Sequence, residues 1–363
     1  MKKKKWFYFA GCLLAAAILL RCDSDWPYKP TQFITPVYVP PALANVTSFV
    51  GTSNAKIAFT LDIQGGHWIY FADYSASSAP LPQKLKKPAG KERGYHTDSP
   101  LLSPDGKWVT YFFFQIGSGL YQAYVQRLDT TSEPVLIASP ASDPHWWVDS
   151  LGGWYIVYSN KGGFITGDIE AIQGGLTLRQ KVDSTNPTLT IDNPDTLAPY
   201  PFTGGLSKDG KYLCTGYERA YFYDVAAKSL TAINPGKQTC NPSITPDTII
   251  TDQLMFLNIQ GVQQMTNSPF GDTSIAQHRV IFIVDKSNTV IKYFDHKRVF
   301  SSPKQQWQDP EWSSNPDFLA TTIQNADNSW SGYLIKISTG DTLRFNGQVP
   351  MDETSTPYLW LGN

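Results

Sequence analysis

Ser99-Pro100-Leu101-Leu102-Ser103-Pro104-Asp105-Gly106-Lys107-Trp108-Val109 joins a proline-led segment to a strand-forming run through a Ser-Pro-Asp-Gly turn. The Asp-Gly step suits a tight hairpin, because glycine takes positive φ without a steric penalty. Trp108-Val109-Thr110-Tyr111-Phe112 then reads as a strand, aromatic and β-branched throughout. The stretch recurs as Gly204-Gly205-Leu206-Ser207-Lys208-Asp209-Gly210-Lys211-Tyr212-Leu213. Weaker copies keep the same interval from Pro144 to Asp149, Pro242 to Asp247, Pro310 to Asn315 and Phe49 to Asn54. Strands such as Lys56-Ile57-Ala58-Phe59 and Phe318-Leu319-Ala320-Thr321 follow them.

Outside these copies, helix signals are nearly absent, and short apolar runs alternate with Gly, Pro, Asn and Asp turns. The chain therefore reads as all-β. A lone four-stranded unit buries only one face, so repeated units must stack to build a core. Proline followed three residues later by Ser-Pro-Asp-Gly-Lys and an apolar strand resembles the TolB-type propeller repeat, related to WD-repeat blades. The resemblance runs from about residue 48 to the end and implies four-stranded antiparallel blades around a central channel. First positions at residues 49, 100, 144, 204, 242 and 310 predict six blades. The longest interval, from 242 to 310, contains Gly261 to Gln277, read as an insertion between strands; a seventh blade there is the alternative. Pro357-Tyr358-Leu359-Trp360-Leu361 begins like another copy without room for a blade, and is expected to close the first blade.

Upstream, Met1 is followed by Lys2 to Lys5 and an apolar run from Trp6 to Leu20, the order of a bacterial secretory leader. The run falls short of the roughly 18–20 residues that span a bilayer core, so residues 1–21 are expected to be a signal peptide; an uncleaved anchor is the other reading. Leu19-Leu20-Arg21-Cys22 resembles a lipoprotein cleavage box, although Arg21 stands where a small residue is usual. Phe9-Ala10-Gly11-Cys12 fits the small-residue rule but leaves too short an apolar stretch. Lipidation is therefore expected at Cys22, against ordinary leader cysteines as the alternative. Residues 22–47 carry Pro27, Pro30, Pro36, Pro40 and Pro41 and read as a semi-rigid tether ahead of a propeller at 48–363. Together these features predict an exported bacterial envelope protein, lipid-anchored and facing the periplasm or the exterior.

Removing residues 1–21 takes five positive charges, leaving 25 Lys+Arg against 31 Asp+Glu, about −6. That balance argues against nucleic acid, which needs a basic footprint, and leaves the lipid anchor as the only expected tie to a membrane. Cys214 and Cys240 are then the remaining cysteines. In an oxidising compartment they predict one disulfide between neighbouring blades, with two buried thiols as the alternative.

No enzyme signature emerges: there is no G-x-S-x-G elbow, no H-E-x-x-H and no phosphate loop. The candidate ligand residues lie just ahead of the repeat, in His96-Thr97-Asp98-Ser99-Pro100, Asp143-Pro144-His145-Trp146 and Asp309-Pro310-Glu311-Trp312. If equivalent, these segments gather carboxylates and imidazoles at one channel mouth, where they could bind a polar ligand; Trp146 and Trp312 could stack on a sugar or peptide. The competing reading has Asp before Pro capping turns and the tryptophans packing between blades. No catalytic residue, metal or cofactor is expected. The leading expectation is a non-catalytic scaffold binding an envelope protein or glycan. The alternative is a polysaccharide lyase or glycosidase using the Asp/Glu/His mouth.

Overall fold

The computed structural model describes residues 45–63, 66–91, 95–115, 119–161, 174–216, 219–235, 239–259, 261–300, 302, 305–326, 329–345 and 354–362. The expected leader, Cys22 and all but the last three residues of the expected tether lie outside the described residues.

Chain order gives a short helix, α1 (Val46–Val50), and then strands in six sheets. The first blade holds β1 (Ala55–Ile63), β2 (Gly66–Asp73) and β3 (Gln83–Lys84). The second holds β4 (Tyr95–Leu102), β5 (Trp108–Gln115), β6 (Leu120–Arg127) and β7 (Val135–Ala138). The third holds β8 (Ser142–Val148), β9 (Trp154–Ser159), β10 (Thr177–Val182) and β11 (Thr190–Ala198). The fourth has three strands, β12 (Tyr212–Gly216), β13 (Ala220–Asp224) and β14 (Ser229–Ile233). The fifth holds β15 (Thr239–Ile244), β16 (Gln253–Asn258), β17 (Val280–Asp285) and β18 (Val290–Asp295). The sixth holds β19 (Gln306–Trp312), β20 (Phe318–Gln324), β21 (Trp330–Lys336) and β22 (Thr342–Arg344). Finally β23 (Thr354–Leu361) pairs antiparallel with β1 and completes the first blade. The architecture is a six-bladed propeller shut by its C-terminal strand.

Strands buried on both faces explain the near-continuous apolar runs. On β16, Leu254 and Phe256 join the core between the fourth and fifth blades, while Met255 and Leu257 join the core between the fifth and sixth. Six apolar clusters result, one at each blade interface. The 261–277 insertion adds Met265 and Ile275 to the fourth interface, so the longest interval enlarges a blade and hides no seventh.

The two clearest copies of the repeat build the same turn. Ser103 Oγ donates to Asp105 Oδ1 at 2.6 Å and accepts from the Trp108 N–H at 3.0 Å. Ser207 and Asp209 repeat this at 2.8 Å, with Tyr212 N–H at 2.9 Å. Each glycine has positive φ, and each lies under a tryptophan of the preceding blade. A Cβ on Gly106 would sit 2.6 Å from the Trp360 ring, and one on Gly210 3.0 Å from that of Trp147. Glycine is required there for space as well as for conformation.

Three expectations need correction. Phe49 lies in α1, so the copy placed at 49–54 supplies only its turn half; the strand half is Pro357–Leu361, from the other end of the chain. In the same way Val46, buried with Val50 against the first blade, belongs to the folded body and not to a tether running to residue 47. The predicted disulfide is not formed: Cys214 and Cys240 are both buried, and no bond joins them. Cys214 faces the core between the fourth and fifth blades, whereas Cys240 faces the core between the fifth and sixth. The fifth sheet separates them.

Candidate functional site

In each sheet one edge strand packs against its counterparts in neighbouring blades. β23 meets β4, β4 meets β8, β15 meets β19, and β19 meets β23. In the fourth blade the irregular segment 203–207 takes this place, held by the Gly204 N–H on the Cys214 carbonyl at 2.9 Å. These six segments therefore surround the propeller axis.

Five of them share a local device. Ser99, Asp143, Asn241, Asp309 and Thr356 have φ between 44° and 50°, and each precedes a proline. Strand register slips at the same points. This is a β-bulge, a place where proline's missing N–H costs no ladder bond and where a side chain is re-aimed. The bulge turns the pre-proline side chains toward the axis. Asp143, Asp309, Asn241 and Thr356 occupy one tier, and Glu311, His145, Ser243 and Tyr358, two positions later, the next.

The charges of these side chains interact between blades. The charge of Asp143, from the third blade, acts on Glu311, from the sixth, directly across a six-membered ring. Asp98 acts on both Asp143 and Asp309. Burial is the leading cause that raises Asp143 and Asp309 to about 7 and Glu311 to about 8, and repulsion between them adds to it. Asp98 is raised by burial as well, opposed by the hydrogen bonds it accepts.

A polar chain ties this cluster together. Asn241 Nδ2 donates to Asp309 Oδ1 at 2.5 Å, and the Thr356 N–H donates to the same carboxylate. Thr356 Oγ1 donates to Asp98 Oδ1 at 2.7 Å, and the Ser99 N–H donates to that oxygen at 2.9 Å. Ser243 Oγ donates to Glu311 Oε1 at 2.6 Å. Four blades are bridged through hydroxyl and amide groups that reach the bulge only because it faces inward.

Of the residues singled out in the sequence, Asp98, Asp143, Asp309 and Glu311 interact through their charges. Asp98 does so from outside the shared register, since Ser99 holds the pre-proline position that Asp143 and Asp309 fill. His145 lines the wall beside the fourth blade: its Nε2 lies 3.0 Å from the Thr203 carbonyl and its ring lies over Gly205, with burial lowering it to about 4. His96 does not join them. Its ring lies 3.8 Å from His67 and 4.8 Å from Phe114, at the junction of the first and second blades. Both tryptophans pack at blade interfaces. Trp146 packs between blades and donates to the Leu101 carbonyl at 2.9 Å; Trp312 is buried and donates to the Pro316 carbonyl at 3.0 Å. Asn241, Thr356 and Tyr358 were missed, although Asn241-Pro242 and Thr356-Pro357 show the same residue-proline step as Asp143-Pro144. Among the described residues, no group of three or more His, Cys, Asp or Glu side chains is placed to hold a metal ion.

No protein-family model matches the chain. No curated protein matches it. Among solved structures it is similar to TolB from Acinetobacter baumannii, with TM-score 0.52 and 13% identity over 86% of this chain and 69% of that one. It is similar also to Kuenenia stuttgartiensis hydrazine synthase, with TM-score 0.54 and 10% identity over 85% of this chain and 47% of that one. The chain thus spans about half the length of the second. At such identity the likeness is one of fold: a TolB-like propeller, shared by proteins with different activities.

Proposed function

We propose that the chain is a non-catalytic binding scaffold of the bacterial envelope, whose acidic axial channel receives a cationic or hydrogen-bond-donating group of a protein or glycan partner. The convergence of Asp98, Asp143, Asp309 and Glu311 from three blades supports this reading. Each carboxylate is already held by a neighbouring donor, which orients it for recognition and costs little reorganisation when a ligand arrives. The polysaccharide-enzyme reading uses the same groups, because an acid kept protonated near neutral pH is what general acid catalysis requires.

Titration calorimetry with spermidine and a hexalysine peptide at about pH 9, above the values of about 7 for Asp143 and Asp309 and about 8 for Glu311, separates the readings. Saturable binding that the Asp143→Asn/Asp309→Asn variant weakens at least about tenfold is the expected result. Cleavage of an acidic polysaccharide by the wild type, abolished by Glu311→Gln, would replace the scaffold with an enzyme. We infer attachment through Cys22 from the leader, and mass spectrometry of the mature N-terminus should show a diacylated cysteine there. An unmodified, uncleaved leader would remove the lipoprotein part of the proposal.

A further inference from the structure

The turns on one face of the propeller carry exposed aliphatic side chains. Adjacent strands of a blade are antiparallel, so the turn from the innermost to the second strand and the turn from the third to the outermost strand open on the same face. These turns present Leu151 and Leu189 in the third blade, Ile249 and Ile250 in the fifth, and Leu81 in the first. Leu151 is 93% exposed, Ile249 88% and Leu81 64%. A single exposed leucine is ordinary on a protein surface. Here they stand at the corners of one face on alternate blades, while the other exposed large apolar residues among those described lie within strands.

Two of these corners are built alike. Leu151 and Ile249 each stand two residues after the aspartate of a weaker copy of the repeat, Asp149 and Asp247. The Leu151 N–H donates to Asp149 Oδ1 at 2.9 Å, and the Ile249 N–H to Asp247 Oδ1 at 2.7 Å. The Thr251 hydroxyl then donates to Asp209 of the fourth blade at 2.9 Å and fixes the fifth-blade turn to its neighbour. The two clearest copies make the same turn bond through the N–H groups of Lys107 and Lys211, each at 3.1 Å. The backbone thus accepts a charged side chain at this position. An aliphatic one on the third and fifth blades does nothing for the turn and is left in solvent.

The chain enters the folded body on this same face. α1 passes through Gly51 into β1, the second strand of the first blade, beside the end of β23, where the Gly362 N–H donates to the Asn54 carbonyl at 2.8 Å. Asn54 thus occupies the first blade's own corner. Cys22 stands 23 residues before Asn45. A chain anchored at Cys22 brings the face that carries α1 to the bilayer, and any contact made after anchoring is intramolecular, so weak insertion is enough to populate it.

We propose that this face seats on a lipid bilayer, with Leu81, Leu151 and Ile249 entering its interfacial layer from alternate blades. The inference rests on the membrane attachment through Cys22. Tips on three alternate blades define a plane, which fits a flat and extended surface; a peptide would ask for a groove. The contact is apolar and grows with the apolar area inserted, so the acidic balance of the chain, which opposes electrostatic attachment to anionic lipid, does not decide it. Seated in this way, the propeller turns its opposite face toward solvent.

The test uses the protein expressed with its leader, extracted from membranes and reconstituted in vesicles of phosphatidylethanolamine with a minor share of phosphatidylglycerol. A thiol-reactive fluorophore is placed at Ser150→Cys, Thr248→Cys or Ala326→Cys. The first two positions adjoin the tips, and Ala326 is exposed after β20 on the opposite face. Spin-labelled lipid is expected to quench the labels at 150 and 248 and not at 326, and iodide to quench them at least about threefold less than at 326. Adding Leu151→Gln/Ile249→Gln, which keeps both turn bonds, should remove that difference. Labelling of the parent chain, whose Cys214 and Cys240 are buried, would report a retained leader or an unacylated Cys22 and so count against the lipoprotein reading. The same reporters are then read in Cys12→Ser/Cys22→Ser, where the retained leader holds the chain at the bilayer. Equal iodide access at all three positions, lipid quenching at 326 alone, or shielding that the glutamine pair leaves unchanged overturns the seating. Shielding at 150 and 248 without lipid quenching would put a second copy or another protein on the tips, and overturns the bilayer as their occupant.

Discussion

A chain ending at residue 353 is expected to lose the cooperative thermal unfolding of the full-length protein. The missing segment is the innermost strand of the first blade. It pairs with β1 along its length and buries Leu359 and Trp360. It carries Thr356, which bridges to Asp98, and Trp360, whose Nε1 donates to the Pro104 carbonyl of the second blade at 3.1 Å. Without it the ring has a gap between β19 and β4, and the edge of β1 is left unpaired, an invitation to aggregation. Trp360→Ala isolates one part of this loss and should cost about 3–5 kcal/mol, the usual range for a buried aromatic. Circular dichroism melts and gel filtration check both variants. A truncated chain that stays monomeric and melts within a few degrees of the parent would show that the ring holds without its closing strand.

The second large effect is on pH dependence. Asp143 and Asp309 are raised to about 7 and Glu311 to about 8, against ordinary values of 3.8 and 4.5. Between pH 4.5 and 8 these three carboxyls therefore bind more protons in the folded state than in the unfolded state, and their contribution to stability falls as pH rises. The histidines work in the opposite sense: burial lowers His67 to about 3 and His96, His145 and His278 to about 4, from 6.5. Their contribution is lost as pH falls below 6.5 and is fully present above it. From pH 6.5 to 8 the carboxylates act nearly alone, and the propeller should lose on the order of 3 kcal/mol, or about 5 °C of melting temperature. Glu311→Gln retains a partner for Ser243 but cannot ionise, so it should be the more stable protein at pH 8 and should flatten the curve. A flat wild-type profile across this window would mean that the channel carboxylates titrate normally.

The fold was legible because its determinants are local. Ser103 and Ser207 close identical turns over Asp105 and Asp209, and such turns recur wherever a blade must pass from its inner to its second strand. The splice at Phe49 was hidden, since a five-residue interval cannot reveal that the preceding strand is supplied about 300 residues later. Asp143 and Asp309 could be paired in the sequence because each stands before a proline, and that step coincides with the positive-φ bulge they share. His96 was misread for lack of that step: three residues upstream of Ser99, it turns toward His67 and Phe114. Cys214 and Cys240 were misread because spacing says nothing about which face of a sheet each occupies.

The pairing of β1 with β23 also has a meaning in time. A chain made and threaded from its N-terminus offers β1 among its first strands, and nothing can occupy its inner edge until the last ten residues have arrived. Every other blade can complete itself from its own neighbourhood. The first blade waits for β23, so the ring cannot close until that strand is made, and a chain released before it carries an open edge on β1.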